Sequence, residues 1–245
     1  MVPKLELGNG VFADINEAIE AAAAAQKVYE KTLTIEDRKR IVAAVREMLI
    51  ANAKYFSDME YEETGYGRPE DKFIKNTGNG LIPGVEHLPK GIFSADDNGM
   101  VFDFYSPFGV IGALTPVTNP SATIAGNGIC NLAAGNAVVF NAHPAARVST
   151  GIALQMVNKT VVEAGGPANM LTCIAEPTME SLDTIAKSPL VSLMIGTGGP
   201  AMVATLMKSG KKCICAGPGN PPTIVDETCD LEECAATLIM SHSME

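Results

Sequence analysis

Residues Ser106–Ala146 read SPFGVIGALTPVTNPSATIAGNGICNLAAGNAVVFNAHPAA, two apolar β-type runs with a helical run between them. The spacing predicts a strand over Val110–Leu114, a helix over Ser121–Ala134 and a second strand over Ala137–Phe140. Pro120 stands in the first turn, where a helix tolerates proline, and Gly135-Asn136 supplies the stop. Both strands run out into polar loops fixed by proline, Thr115-Pro116 and Asn141-Ala142-His143-Pro144. This is a βαβ unit, and in open parallel sheets ligands bind at the carboxyl ends of the strands. The two loops are therefore where a ligand is expected.

On the C-terminal side the same rhythm continues. Helices are predicted over Val148–Ala164 and Met179–Lys187, with strands over Leu171–Ala175 and Val191–Ile195. The turn Gly196-Thr197-Gly198-Gly199-Pro200 then leads into a helix through Lys208, a strand over Cys213–Ala216, a further strand over Thr223–Val225 and a last helix from Asp230. Strands alternating with helices imply right-handed crossovers and a parallel sheet with helices on both faces, an α/β fold.

On the N-terminal side the chain is mainly helical. Asp14 followed by Glu17 starts an alanine-rich helix, Ile15–Lys31, and Thr34 with Asp37 repeats the signature. Ile41, Val45, Met48, Leu49 and Phe56 then share one face of a single long helix that runs to Thr64-Gly65, its charged residues reading as a solvated face. A third helix, Glu70–His87, is interrupted by Gly78, Gly80 and Pro83-Gly84; Gly91–Gly99 reads as a loop, and Met100–Tyr105 as an edge or excursion strand.

Composition narrows the class of protein. With 245 residues and 47% hydrophobic content the chain can bury a sizeable core, so disorder is excluded. A net charge of −10, with Arg38-Lys39-Arg40 as the one basic run longer than a pair, offers little to a nucleic-acid backbone. No apolar run approaches a membrane span and MVPKLELGNG lacks a signal-peptide pattern, so a cytoplasmic location is expected. The six cysteines include no C-x-x-C, and they are expected to be reduced structural thiols, with Cys130 and Cys173 in core segments; no metal site is expected.

Three positions carry candidate chemistry. Gly196-Thr197-Gly198-Gly199, between a strand and a helix, suits a phosphate through free N–H groups, or is glycine-rich for steric reasons alone. Asn119 is either an amide donor to a developing oxyanion or a helix cap. His143 is either a ligand contact or an exposed loop histidine.

SPFGVIGALTPVTNP, LAAGNAVVFNAHPAA, AGGPANML, the GTGG turn and AGPGNPPTIVDE, in that order, closely resemble the aldehyde dehydrogenase superfamily. Within it they are similar to the coenzyme A-acylating branch of ethanolamine and propanediol utilisation, as is ETGYGRPEDKFIKN at Glu63–Asn76. The resemblance implies a Rossmann-like NAD-binding domain, residues 1–99 forming its N-terminal helical part and 100–245 its core, with the catalytic domain absent. It implies that Thr115, Pro116 and Val117 line the nicotinamide side, that His143 and Pro144 lie on the adenosine side, and that Thr197, Gly198 and Gly199 lie by the pyrophosphate, with Ala216 and Gly217 also at the cofactor. Asn119 matches the oxyanion amide.

Two departures refine that expectation. Ala216-Gly217-Pro218-Gly219 stands where hydrolytic members carry Glu-Leu-Gly-Gly, so the carboxylate that activates water is missing and acyl transfer to a thiol is favoured. Asn141 falls where many relatives place a lysine. The family mechanism is thiolate attack on a short-chain aldehyde, hydride transfer to NAD and acyl transfer to coenzyme A, in a homo-oligomer. In relatives the nucleophilic cysteine follows the helix after AGPGNPP, and none of this chain's cysteines matches it. The expectation is a truncated cofactor half, inactive alone; the rival reading is a non-catalytic nucleotide-binding or assembly module. The amphipathic extension that takes relatives into bacterial microcompartments is not seen.

Overall fold

The computed structural model describes residues 2–217, 219 and 221–243. A two-residue strand, β1 (Val11–Phe12), precedes α1 (Ile15–Thr32), α2 (Ile35–Ala51) and α3 (Ala53–Thr64). The Asp14 carboxylate caps α1 by accepting the N–H groups of Asn16 and Glu17, and Thr34 and Asp37 form a reciprocal capping box on α2. The single long helix expected through Thr64 is two. Asn52 leaves helical geometry (φ −107°, ψ 11°) and its side-chain amide donates to the Met48 carbonyl at 2.8 Å, competing with the backbone ladder. The charged face is not all solvated either, because Glu60 of α3 is buried.

α4 (Pro69–Thr77) ends early, and two single 3₁₀ turns, Gly78–Leu81 and Val85–His87, replace the rest of the expected helix at its glycines and prolines. The expected loop before Gly99 is half strand. β2 (Ile92–Asp96) and β3 (Gly99–Asp103) pair antiparallel, Ile92 opposite Asp103, across a turn in which the Asp96 carboxylate accepts the Asn98 N–H at 2.7 Å. This hairpin stands outside the main sheet with both strands exposed.

The βαβ unit forms where its sequence places it, as β4 (Val110–Leu114), α5 (Pro120–Ala134) and β5 (Ala137–Asn141). Every residue of β4 and β5 is buried, which is why both read as unbroken apolar runs rather than alternating ones. Then follow α6 (Arg147–Glu163), β6 (Leu171–Ile174), α7 (Met179–Lys187), β7 (Val191–Thr197), α8 (Pro200–Met207), β8 (Lys212–Ala216) and α9 (Leu231–Ser243). No strand forms over Thr223–Val225. Its Ile224 is 94% exposed, and a segment that pairs with no strand and buries no side chain has nothing to hold it extended.

The six-stranded sheet is parallel throughout, in the order β1-β6-β5-β4-β7-β8. From β4 the chain steps outward one way through β5 and β6, then returns to the other side of β4 for β7 and β8. That reversal puts a topological switch point between β4 and β7. α5 and α6 cover one face, with α2 and α3 packed outside them, and α1 lies along β4, β5 and β6 beside α7. Ile19 and Tyr29 of α1, Ile41 of α2, Ile124 of α5, and Val138 and Phe140 of β5 belong to one contiguous core. The result is a Rossmann-like sheet flanked by helices. Among the described residues no helix is long and apolar enough to cross a membrane.

Candidate functional site

At the carboxyl ends of β4, β5 and β7, across the switch point, lies a cleft of about 720 Å³. Thr115, Pro116, Val117 and Asn119 form the wall that follows β4; His143 and Pro144 form the wall that follows β5. Thr197, Gly198 and Gly199 close the side at β7, with Gly217 beyond β8. Of the candidate residues, Gly196 and Ala216 are not part of the lining: Gly196 lies within β7, and Ala216 ends β8 opposite Thr197, its carbonyl accepting the Gly198 N–H at 3.2 Å.

That last bond alters the anion reading of the glycine turn. β7 extends through Gly196 and Thr197, Gly198 spends its N–H on Ala216, and Pro200 has none. The turn therefore offers fewer free donors than its glycines suggest. It does offer room: a methyl group placed on Gly199 would meet no atom within 4 Å. Met202 of α8 and Met179 of α7 contribute apolar surface to the same cleft. Neither carried a sequence signal, since a lone methionine near a helix start looks like any other packing residue.

Asn119 occupies the cap position of α5 and makes no side-chain cap bond. Its amide Nδ2 donates to the Thr118 hydroxyl at 3.2 Å, while its backbone carbonyl accepts the Thr123 hydroxyl at 2.7 Å. The capping alternative is thus set aside, and the half-buried amide stays at the cleft. Thr115 is buried with its hydroxyl 3.4 Å from that of Thr150, a contact that anchors the start of the loop.

His143 is tied down as well. Its Nδ1 accepts the Ala145 N–H at 3.2 Å, which places the ring proton on Nε2. Asn141 accepts the Ser181 hydroxyl at 2.6 Å and donates to the Thr178 carbonyl at 3.3 Å, joining the end of β5 to the start of α7. Among the described lining residues there is no aspartate, glutamate, lysine, arginine or cysteine. The lining is apolar with a few hydrogen-bonding groups, the usual make-up of a small-molecule pocket.

The cysteines divide otherwise than expected. Cys173 is buried in β6 and desolvation pushes its thiol up to about 12. Cys130, expected in the core, is exposed on α5, facing the Pro83 carbonyl at 3.6 Å. All six are unpaired.

Comparison with known proteins agrees with this geometry. The profile described as the aldehyde dehydrogenase family matches residues 6–244. Over 239 residues the chain is 41% identical to a propanal dehydrogenase (CoA-propanoylating) of Citrobacter freundii, an alignment covering 97% of this chain and 51% of the relative. The structure of a propionaldehyde dehydrogenase from the Clostridium phytofermentans fucose utilisation bacterial microcompartment matches with a TM-score of 0.91 at 41% identity, covering 96% of this chain and 54% of its own. An engineered glycolyl-CoA reductase with bound NADP+ matches with a TM-score of 0.91 at 40% identity, covering 98% of this chain and 54% of its own. The chain spans about half the length of these relatives.

Proposed function

The chain belongs to the aldehyde dehydrogenase family, and from that premise we propose that it is the NAD-binding half of a coenzyme A-acylating aldehyde dehydrogenase acting on a short-chain aldehyde. The observation that carries the reading is the cleft at the switch point, which gathers the loops after β4, β5 and β7 around one volume of about 720 Å³. Residues 1–99 act as the helical part of this cofactor domain and 100–245 as its core.

In this reading Thr115, Pro116 and Val117 face the nicotinamide, His143 and Pro144 the adenosine, and Thr197, Gly198, Gly199 and Gly217 the pyrophosphate, with Ala216 acting through its bond to Gly198. The cleft fits such a ligand: it is apolar, open at Gly199 and polar at its rims. When bound, the nicotinamide supplies a hydride acceptor. The Pro116 and Val117 side chains exclude water from the ring, and the Asn119 amide donates to the aldehyde oxygen as charge develops there. Ala216 stands where hydrolytic members carry the glutamate that activates water, and among the described residues no carboxylate lines the cleft, which fits deacylation by the coenzyme A thiol, a nucleophile that needs less help. Among the described residues no lysine or arginine lines the cleft.

None of the six cysteines lines the cleft, so residues 1–245 alone are expected to bind NAD without oxidising aldehyde. A homo-oligomer is part of the proposal. Calorimetric titration of the purified chain with NAD tests it. Saturable binding to one site is expected; absence of binding, or aldehyde-dependent NADH production by these residues alone, overturns it.

A further inference from the structure

Behind the loop that carries Asn119 lies a group of polar side chains cut off from solvent. Glu60 of α3, Lys72 of α4, Asn76 of α4, Ser57 of α3 and Ser121 of α5 are all fully or almost fully buried. Glu60 and Lys72 form an ion pair at 3.6 Å, with side-chain exposures of 1% and 0%. Both members of the pair also reach the loop. Lys72 Nζ donates to the carbonyl of Thr118, one residue before Asn119. Glu60 Oε1 accepts the backbone N–H of Ser121 at 2.9 Å, two residues after it, and also the Ser121 hydroxyl. Asn76 Oδ1 stands 3.0 Å from that hydroxyl, and Asn76 Nδ2 donates to Ser57 at 3.2 Å.

Stability does not explain such an arrangement, because a buried ion pair gives back most of its attraction in desolvation and is often matched or bettered by apolar residues of the same size. Geometry does. Asn119 has only one side-chain partner, the neutral Thr118 hydroxyl at 3.2 Å, so its direction is inherited from the backbone that bears it. That backbone is held on both sides by charged groups, while Pro120 fixes the torsion between them. Burial also pushes the Glu60 carboxyl up against the pull of Ser121 and Lys72, as expected of a group kept inside for its contacts.

We propose that Glu60 and Lys72 are positioning residues that aim the Asn119 amide at the reacting oxygen, by clamping the Thr118 carbonyl and the Ser121 N–H from beneath the loop between β4 and α5. The inference rests on the oxyanion role given to Asn119 above. Neither residue lines the cleft, so their effect reaches the reaction only through that loop.

A double-mutant cycle tests this on aldehyde turnover by the whole enzyme of which, in the function proposed above, this chain is half. Asn119→Ala alone is expected to lower kcat by about 100- to 1,000-fold, the loss seen when one oxyanion donor is removed. Glu60→Gln, nearly isosteric, is expected to lower kcat by about tenfold or more while the NAD dissociation constant stays within about twofold. In the Asn119→Ala background, Glu60→Gln is expected to do nothing further, because its route to the reaction is already gone. A merely structural glutamate would give additive losses, or would weaken NAD binding along with kcat. Either result overturns the positioning role, as does an unchanged kcat for Glu60→Gln beside a depressed one for Asn119→Ala. An unchanged kcat for Asn119→Ala overturns the oxyanion reading itself, and the positioning role with it. If Glu60→Gln does not fold, Lys72→Met carries the cycle on the same criteria, since it removes the donor to the Thr118 carbonyl, the other half of the clamp.

Discussion

Glu63, at the end of α3, accepts the backbone N–H of Ser149 in the first turn of α6 at 2.7 Å, while its other carboxylate oxygen takes the Val148 N–H at the same distance. A helix start that sequence alone leaves uncapped is thus capped from another helix, and the α6 start follows directly on the His143-Pro144 wall of the cleft. Removing the carboxylate leaves two N–H groups without a charged acceptor. Glu63→Ala is expected to cost about 2 kcal/mol, the range for hydrogen bonds to a charged group, read as a lower midpoint in urea denaturation. An unchanged midpoint would show that water replaces the carboxylate at no loss.

Gly10 sits at φ +97°, and a methyl group on it would lie 2.4 Å from the Leu171 carbonyl and 2.2 Å from Asn158 Nδ2. Both partners are fixed, since Asn158 itself bridges the Asn9 and Leu171 carbonyls at 2.8 and 2.6 Å. Gly10→Ala is expected to destabilise by about 3 kcal/mol or more, combining backbone strain with a clash against main chain. Thermal melting measures it, and a melting temperature equal to wild type would refute the packing at the β1 edge.

The capping box of α2 has a pH signature. Asp37 is held at about 2, first by the hydrogen bonds from the Thr34 hydroxyl and backbone and then by Arg40, against an ordinary value of 3.8. Its folded-state pKa is depressed, so its contribution to stability is fully present above 3.8 and is lost as pH falls through about 2. A carboxyl-carbon NMR titration is expected to place the Asp37 midpoint near 2 in wild type and closer to 3.8 in Thr34→Ala. Equal midpoints in the two proteins would remove the box as the cause.

Cofactor choice can be shifted at Met179, which lines the cleft on the first turn of α7 and is 61% exposed. Met179→Lys puts a cation where none is present and is expected to raise NADP affinity by about fivefold, with NAD affinity nearly unchanged, the effect of one solvent-screened ion pair. Parallel calorimetric titrations with the two nucleotides read this out. Equal gains for both would place the new charge by the pyrophosphate instead.

The central βαβ unit was legible because two-sided burial writes strands as continuous apolar runs, and proline and glycine punctuate them at Pro120 and Gly135. The loops that meet at the cleft were legible for the same reason: they are what remains between such runs. The break at Asn52 was not, because the apolar period passes through it undisturbed to Phe56. β1 was not, since two residues carry no local signal and only the register of Val11 with Cys173 and Phe12 with Ile174 makes them a strand. Least legible was the Glu60–Lys72 pair. A charge on an amphipathic helix looks solvated until a second layer of helices covers it, and nothing local to either residue announces that α5 will do so.

The strand order has a consequence for how the protein is made. β1 is made before the other strands of the sheet, yet its partner, β6, is synthesised only after β4, α5, β5 and α6. The wall of the cleft built on β4 and β5 is complete long before β7 exists to face it. A nascent chain stalled before Val191 therefore carries half of the cleft beside an unpaired β4 edge, and the cleft has no opposing wall until the returning strand docks.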